Sequence, residues 1–177
     1  MKTILDFEQW PLDLLIDYVL KIHHRGIREQ GPELLEQLQR VALAHKADAP
    51  DLQKVVDHFR NSLEDLDMHL QKEENVLFPF CMEMYESYRN GQQAPMFHCG
   101  SVQGPISVMM AEHADETERH NRIAQLTNDY TAPEGTDDDY REAMRGLKEF
   151  REHLEEHTTV ENEVLFPMAM QVEMAGR

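Results

Sequence analysis

Histidine and glutamate carry the most suggestive chemistry in this chain. There are ten histidines in 177 residues, and their spacing is not random. Residues 69–79 read HLQKEENVLFP and residues 157–167 read HTTVENEVLFP, with six of eleven positions identical at an offset of 88 residues. Each motif holds an H-x-x-x-E pair, His69 with Glu73 and His157 with Glu161. Upstream, His24 lies 45 residues before His69, and His113 lies 44 before His157. Half the chain is thus repeated, one histidine followed at a fixed distance by an H-x-x-x-E. Four residues along a helix turn about 40° net and rise about 6 Å, so each pair aims two side chains at one point. Imidazole with carboxylate suits iron, zinc or manganese.

The elements that must position these groups are helical. Aromatics make up only 7% of the chain while Leu, Met, Glu and Gln abound, which favours helix over strand. A first helix starts near Trp10-Pro11 and meets Gly31-Pro32, which is expected to kink or break it before the pattern resumes to about His45. A second, capped by Asp51, runs to about Tyr88. A polar, glycine-containing loop over 89–104 leads to a third, from near Pro105 to about Asn128. A fourth follows the loop 131–136 and ends near Val172, with Asp137 to Asp139 suited to its positive end. The expected fold is all-α, an antiparallel four-helix bundle of two tandem helix pairs, forming one domain over 1–177 with its core at about 11–172.

In heptad register the second helix has Phe59, Leu66, Glu73 and Phe80 on one core row and Ser62, His69, Val76 and Glu83 on the other. The fourth has Leu147, Leu154, Glu161 and Met168, then Phe150, His157, Val164 and Gln171. His24 shares a stripe with Ile16, Leu20 and Ile27, and His113 with Ile106, Met109 and Ile123. Polar groups among apolar neighbours need partners, and bundle cores house dinuclear carboxylate sites. The expected metal ligands are His24, His69, Glu73, His113, His157 and Glu161, with Glu73 and Glu161 bridging two iron ions. Two histidines per iron, two bridging glutamates and an oxo or hydroxo bridge make five donors. A six-coordinate iron then keeps one position open for O₂, NO or water.

Around this set, Asp65 and His153 precede His69 and His157 by four residues and are candidate acceptors for the outer N–H groups. His153 has an alternative as a fifth histidine ligand. Glu112, Glu116 and His120 lie near His113, where they would line a polar route to the metals; a solvated helix end is the plainer reading. His23, adjacent to His24, points about 100° away and is expected at the surface. His45 lies about 31 Å from His24 along a straight helix and approaches only if Gly31-Pro32 folds the chain back.

A net charge of −17 argues against nucleic acid and anionic membranes as partners. Cys81 and Cys99 form no C-x-x-C and are read as free thiols in a reducing compartment. No signal peptide or transmembrane run is apparent, so the expected location is cytoplasmic.

The stretches WPLDLLIDYVLKIHHR at 10–25, HLQKEENVLFP at 69–79, GSVQGPISVMMAEH at 100–113 and HTTVENEVLFP at 157–167 resemble the hemerythrin-like domain of the RIC family, di-iron proteins linked to repair of iron–sulfur centres. Carried over by position, that family's iron ligands fall on the same six residues. The resemblance implies a role in nitrosative and oxidative stress, with iron donation to damaged iron–sulfur proteins or NO reduction at the di-iron site. The family's usual N-terminal domain with a cysteine pair is expected to be lacking. O₂-carrying hemerythrins have H-x-x-x-H in the third helix, whereas Thr117 follows His113 here, which disfavours reversible O₂ carriage. The competing reading is a module that binds or senses O₂, NO or iron without turnover. A ferritin-like oxidase is disfavoured because none of the ten histidines has Glu three residues before it.

Overall fold

A computed structural model describes residues 6–97 and 100–176. After a short 3₁₀ turn at Phe7–Gln9, four long helices follow and no strand is present among the described residues. Helix α1 covers residues 12–44 and α2 residues 52–89; α3 is Gln103–Leu126, and α4 covers residues 138–175. Helices α1 and α3 both lie against α2 and α4, and the C-terminal parts of α2 and α4 also touch, which gives the expected antiparallel bundle.

Local sequence explains these helices. Leu12, Leu15, Ile16 and Val19 are buried at helical spacing and draw one face of α1 inward. At the start of α4, Asp137 Oδ1 accepts from the Tyr140 N–H at 2.9 Å. Asp138 and Asp139 occupy that helix's first turn, where its dipole favours negative charge. Asp51 does not cap α2 through its side chain, which pairs instead with Lys54 at 2.7 Å.

Gly31-Pro32 does not break α1, because Arg25–Ala44 is one α-helical run. Pro32 removes one backbone donor. The buried Leu34, Leu38 and Val41 hold the following turns against the core. Gly31 permits close packing on α2, since a Cβ there would lie 2.5 Å from Leu63 Cδ2. His45 therefore stays at the far end of α1, with Nε2 3.1 Å from Asp137.

Three of the four helices change pitch at the bundle's middle. π-helical turns occupy Val19–His24 in α1, Glu73–Leu77 in α2 and Val160–Leu165 in α4. Such one-turn expansions cluster at functional sites, and these contain His24, Glu73 and Glu161. The apolar interior forms two clusters. One is built around Leu38, Phe59 and Leu147, the other around Leu15, Phe78 and Phe166. No helix among the described residues is long and apolar enough to cross a membrane.

Candidate metal centre

All four helices deliver a histidine to one buried point, and α2 and α4 each add a glutamate. His24, His69, Glu73, His113, His157 and Glu161 are at most 4% exposed. They sort into two groups, each with its ligand atoms within 4.8 Å of one another: His24, Glu73, His157, Glu161 and His69, Glu73, His113, Glu161.

The two carboxylates are shared oxygen by oxygen. Glu73 Oε2 lies 3.3 Å from His24 Nε2, and its Oε1 lies 3.4 Å from His69 Nε2. Glu161 Oε1 lies 3.1 Å from His157 Nε2 and 3.8 Å from His24 Nε2, while its Oε2 lies 3.1 Å from His113 Nε2. Each group thus gathers two imidazole nitrogens and one oxygen from each carboxylate. None of the four glutamate oxygens has a well-formed hydrogen bond, nor does His24 Nε2 or either ring nitrogen of His157. Two bare carboxylates at full burial are costly without cations. Their pairing with four inward-facing nitrogens fits two metal ions in hydrogen-bonding terms as well as in donor chemistry.

Protons occupy part of this cage when no metal does. Burial pulls the His24 pKa down, but Glu161 and Glu73 outweigh it and raise it to about 9. His69 is likewise lowered by burial and raised more strongly by Glu73 and Glu112, to about 9. Burial opposes the charged form of Glu161, yet His157, His113 and His24 hold its carboxyl well below the usual range.

Outer partners fix three of the four rings. His24 Nδ1 meets Glu74 Oε1 at 2.8 Å, His69 Nδ1 meets Glu112 Oε2 at 2.9 Å, and His113 Nδ1 meets Asn162 Oδ1 at 2.9 Å. Such contacts set tautomer and orientation in metal-bound histidines. Glu74 is clamped by Arg28, and Glu112 by Lys72. Glu74 and Asn162 escaped the sequence reading. Both directly follow the repeated glutamates Glu73 and Glu161, and that shared position was the available signal.

The surrounding candidates distribute as follows. Asp65 does not reach His69; it pairs with Arg119 at 2.5 Å, and Glu112 takes the role of acceptor. His153 makes its ring contact with His23, at a centroid distance of 4.9 Å, and belongs to neither ligand group. His23 is fully buried, contrary to the expected surface position. It lies in the π-helical turn, where the ideal α-helical angle between neighbours does not apply. Glu116 is buried beside Arg119 and His120, at 3.2 and 3.4 Å, and His120 Nε2 lies 3.1 Å from Ser62 Oγ. A cavity of about 250 Å³ between α2 and α3 is lined by Asp65, Lys72, Glu112, Glu116 and Arg119 and reaches His69 and His113. His98 and Cys99 lie outside the described residues. Cys81 is buried and unpaired, and burial pushes its thiol pKa to about 12.

Comparison with known proteins points the same way. The family model described as the hemerythrin HHE cation binding domain matches residues 15–169. A protein of Yersinia pestis (strain Pestoides F) named iron-sulfur cluster repair protein YtfE is 34% identical over 168 residues, covering 95% of this chain and 70% of that protein. A protein of the same name from Edwardsiella ictaluri (strain 93-146) is 36% identical over 168 residues, covering 93% of this chain and 69% of its own length.

Proposed function

The chain belongs to the hemerythrin HHE cation binding domain family, and from that premise we propose that its cage holds two iron ions and serves the repair of iron–sulfur clusters under nitrosative and oxidative stress. His24 and His157 would hold one iron, His69 and His113 the other, with Glu73 and Glu161 bridging and an oxo or hydroxo group between the ions. Residues about 11–172 act as the single unit that builds this cage.

The observation that carries the reading is the division of the two carboxylates. Each presents one oxygen to each histidine pair. The relatives' printed name supports damaged iron–sulfur proteins as targets, with iron then the cargo passed on. The cavity reaching His69 and His113 supports access by small gases such as NO or O₂. Reduced di-iron would supply the two electrons that, with two protons, convert two NO to N₂O and water. The chain's own groups hold the cage for either role. Glu74, Glu112 and Asn162 orient the rings, and the buried Phe78 and Phe166 stack on His24 and His113 and keep water out.

Elemental analysis of the purified chain beside Glu73→Ala tests the site. The expected result is about two irons per chain, lost in large part from the variant because Glu73 faces both groups. One zinc, or metal content untouched by the substitution, refutes the di-iron reading. Restoration of activity to an apo cluster protein by the loaded chain tests donation, and N₂O formation from NO tests reduction. Failure of either assay removes that branch of the function.

A further inference from the structure

The internal repeat relates α1 to α3 and α2 to α4, at offsets of 89 and 88 residues. Applied to the cage, this relation exchanges the two ligand groups: His24 maps to His113, His69 to His157 and Glu73 to Glu161. It also maps the outer contacts. The bond between His24 Nδ1 and Glu74 becomes the bond between His113 Nδ1 and Asn162, and both are present, at 2.8 and 2.9 Å. The remaining contact, His69 Nδ1 with Glu112, maps onto His157 Nδ1 with residue 23.

We propose that His23 is the outer positioning partner of His157, the counterpart of Glu112 across the repeat. Its side chain is 0% exposed, and neither of its ring nitrogens has a hydrogen-bond partner. His157 Nδ1 is buried and unpartnered as well, the one outer nitrogen of the four left so. Their rings lie 5.7 Å apart, centroid to centroid, and 32° from parallel. The link closes through one water. A buried imidazole with two idle nitrogens is expensive anywhere else in a core.

His23 is held from its other sides. The His153 ring packs 4.9 Å away, and Tyr18 meets His23 edge-on at 5.2 Å. His153 occupies a notch that exists because residue 26 is glycine, since a Cβ there would stand 2.4 Å from His153 Cε1. This arrangement gives each metal position one carboxylate and one neutral outer partner: Glu74 and His23 on one side, Glu112 and Asn162 on the other.

The inference rests on the di-iron reading and is tested by iron release to a ferrous chelator from the loaded, reduced chain. In His23→Phe, one of the two irons is expected to leave about 10- to 100-fold faster, the range typical of outer-partner loss, and the other at the parent rate. His23→Gln, whose amide can accept from His157, is expected to restore slow release. Glu112→Leu combined with His23→Phe should make both irons fast. Parent-like release of both irons in His23→Phe overturns the inference, as does equal acceleration of both, or a Gln variant as fast as Phe. If the Phe variant does not fold, His23→Leu is measured against the same expectations. A parent chain that binds fewer than two irons refutes the di-iron reading itself, and this inference with it.

Discussion

Metal binding to this cage is expected to release protons, and the pH dependence can be worked out from the geometry. In the metal-free chain His24 and His69 titrate near 9, raised by the carboxylates against the effect of burial. Each belongs to a different ligand group. Below pH 9, each incoming cation must therefore displace about one proton, since a metal ligates only the neutral imidazole. Glu161 is already ionised across this range, its carboxyl held low by three histidines, and contributes no proton. Apparent affinity at each position should then rise about tenfold per pH unit, or about 100-fold between pH 6 and 8, a difference of about 2.7 kcal/mol. Metal-free stability runs the other way. Both histidines have folded pKa values above the ordinary 6.5, so their contribution is complete below pH 6.5 and disappears as pH rises through about 9. Anaerobic Fe(II) titration against a competing chelator, at several pH values with free ligand corrected for its own protonation, measures the first slope. Thermal unfolding of the metal-free chain measures the second. A flat affinity profile between pH 6 and 8 would refute the assignment of protons to the cage, as would a metal-free chain that gains stability over pH 7–9.

Three further outcomes are expected. Glu161→Gln should reduce metal content at both positions rather than one, because Glu161 faces His157 and His24 through one oxygen and His113 through the other; loss of a single ion would contradict the bridging role. Gly26→Ala should destabilise the fold by about 1–3 kcal/mol through overpacking against His153, and Gly26→Ala with His153→Ala should recover most of that loss in a melting experiment. In a Cys99→Ser background, Cys81 should resist thiol reagents at pH 8 until the chain is unfolded, because it is buried and its pKa is about 12; rapid labelling of the folded chain would contradict its placement.

The cage was legible because duplication wrote its pattern twice. One H-x-x-x-E among apolar residues is ambiguous, whereas two at the half-chain offset, each with its upstream histidine, leave little room for coincidence. The four helices followed from the same periodicity. What the spacing hid depends on departures from ideal geometry and on contacts between helices. The 100° step between neighbours sent His23 outward, but the π-helical turn Val19–His24 turns both histidines in. Pro32 read as a break because its lost hydrogen bond is visible in the sequence, while the packing that offsets it, Gly31 against Leu63, comes from another helix. Asp65 had the right spacing for His69 along α2, but Glu112 approaches from α3, and no intrahelical rule reports that.

The split of the apolar interior has a consequence for how the chain comes apart. The cluster around Leu15, Phe78 and Phe166 and the cluster around Leu38, Phe59 and Leu147 lie on either side of a slab of six polar side chains. Hydrophobic cohesion does not carry across such a slab, so in the metal-free chain the two ends are joined by the continuous helices and by proton-mediated pairs. Cations in the slab would tie all four helices together at mid-height. Amide exchange is expected to show two independent opening units without metal and one with it. Iron would then act as the fastener of a two-part structure, and a chain that surrendered its iron would loosen end by end rather than all at once.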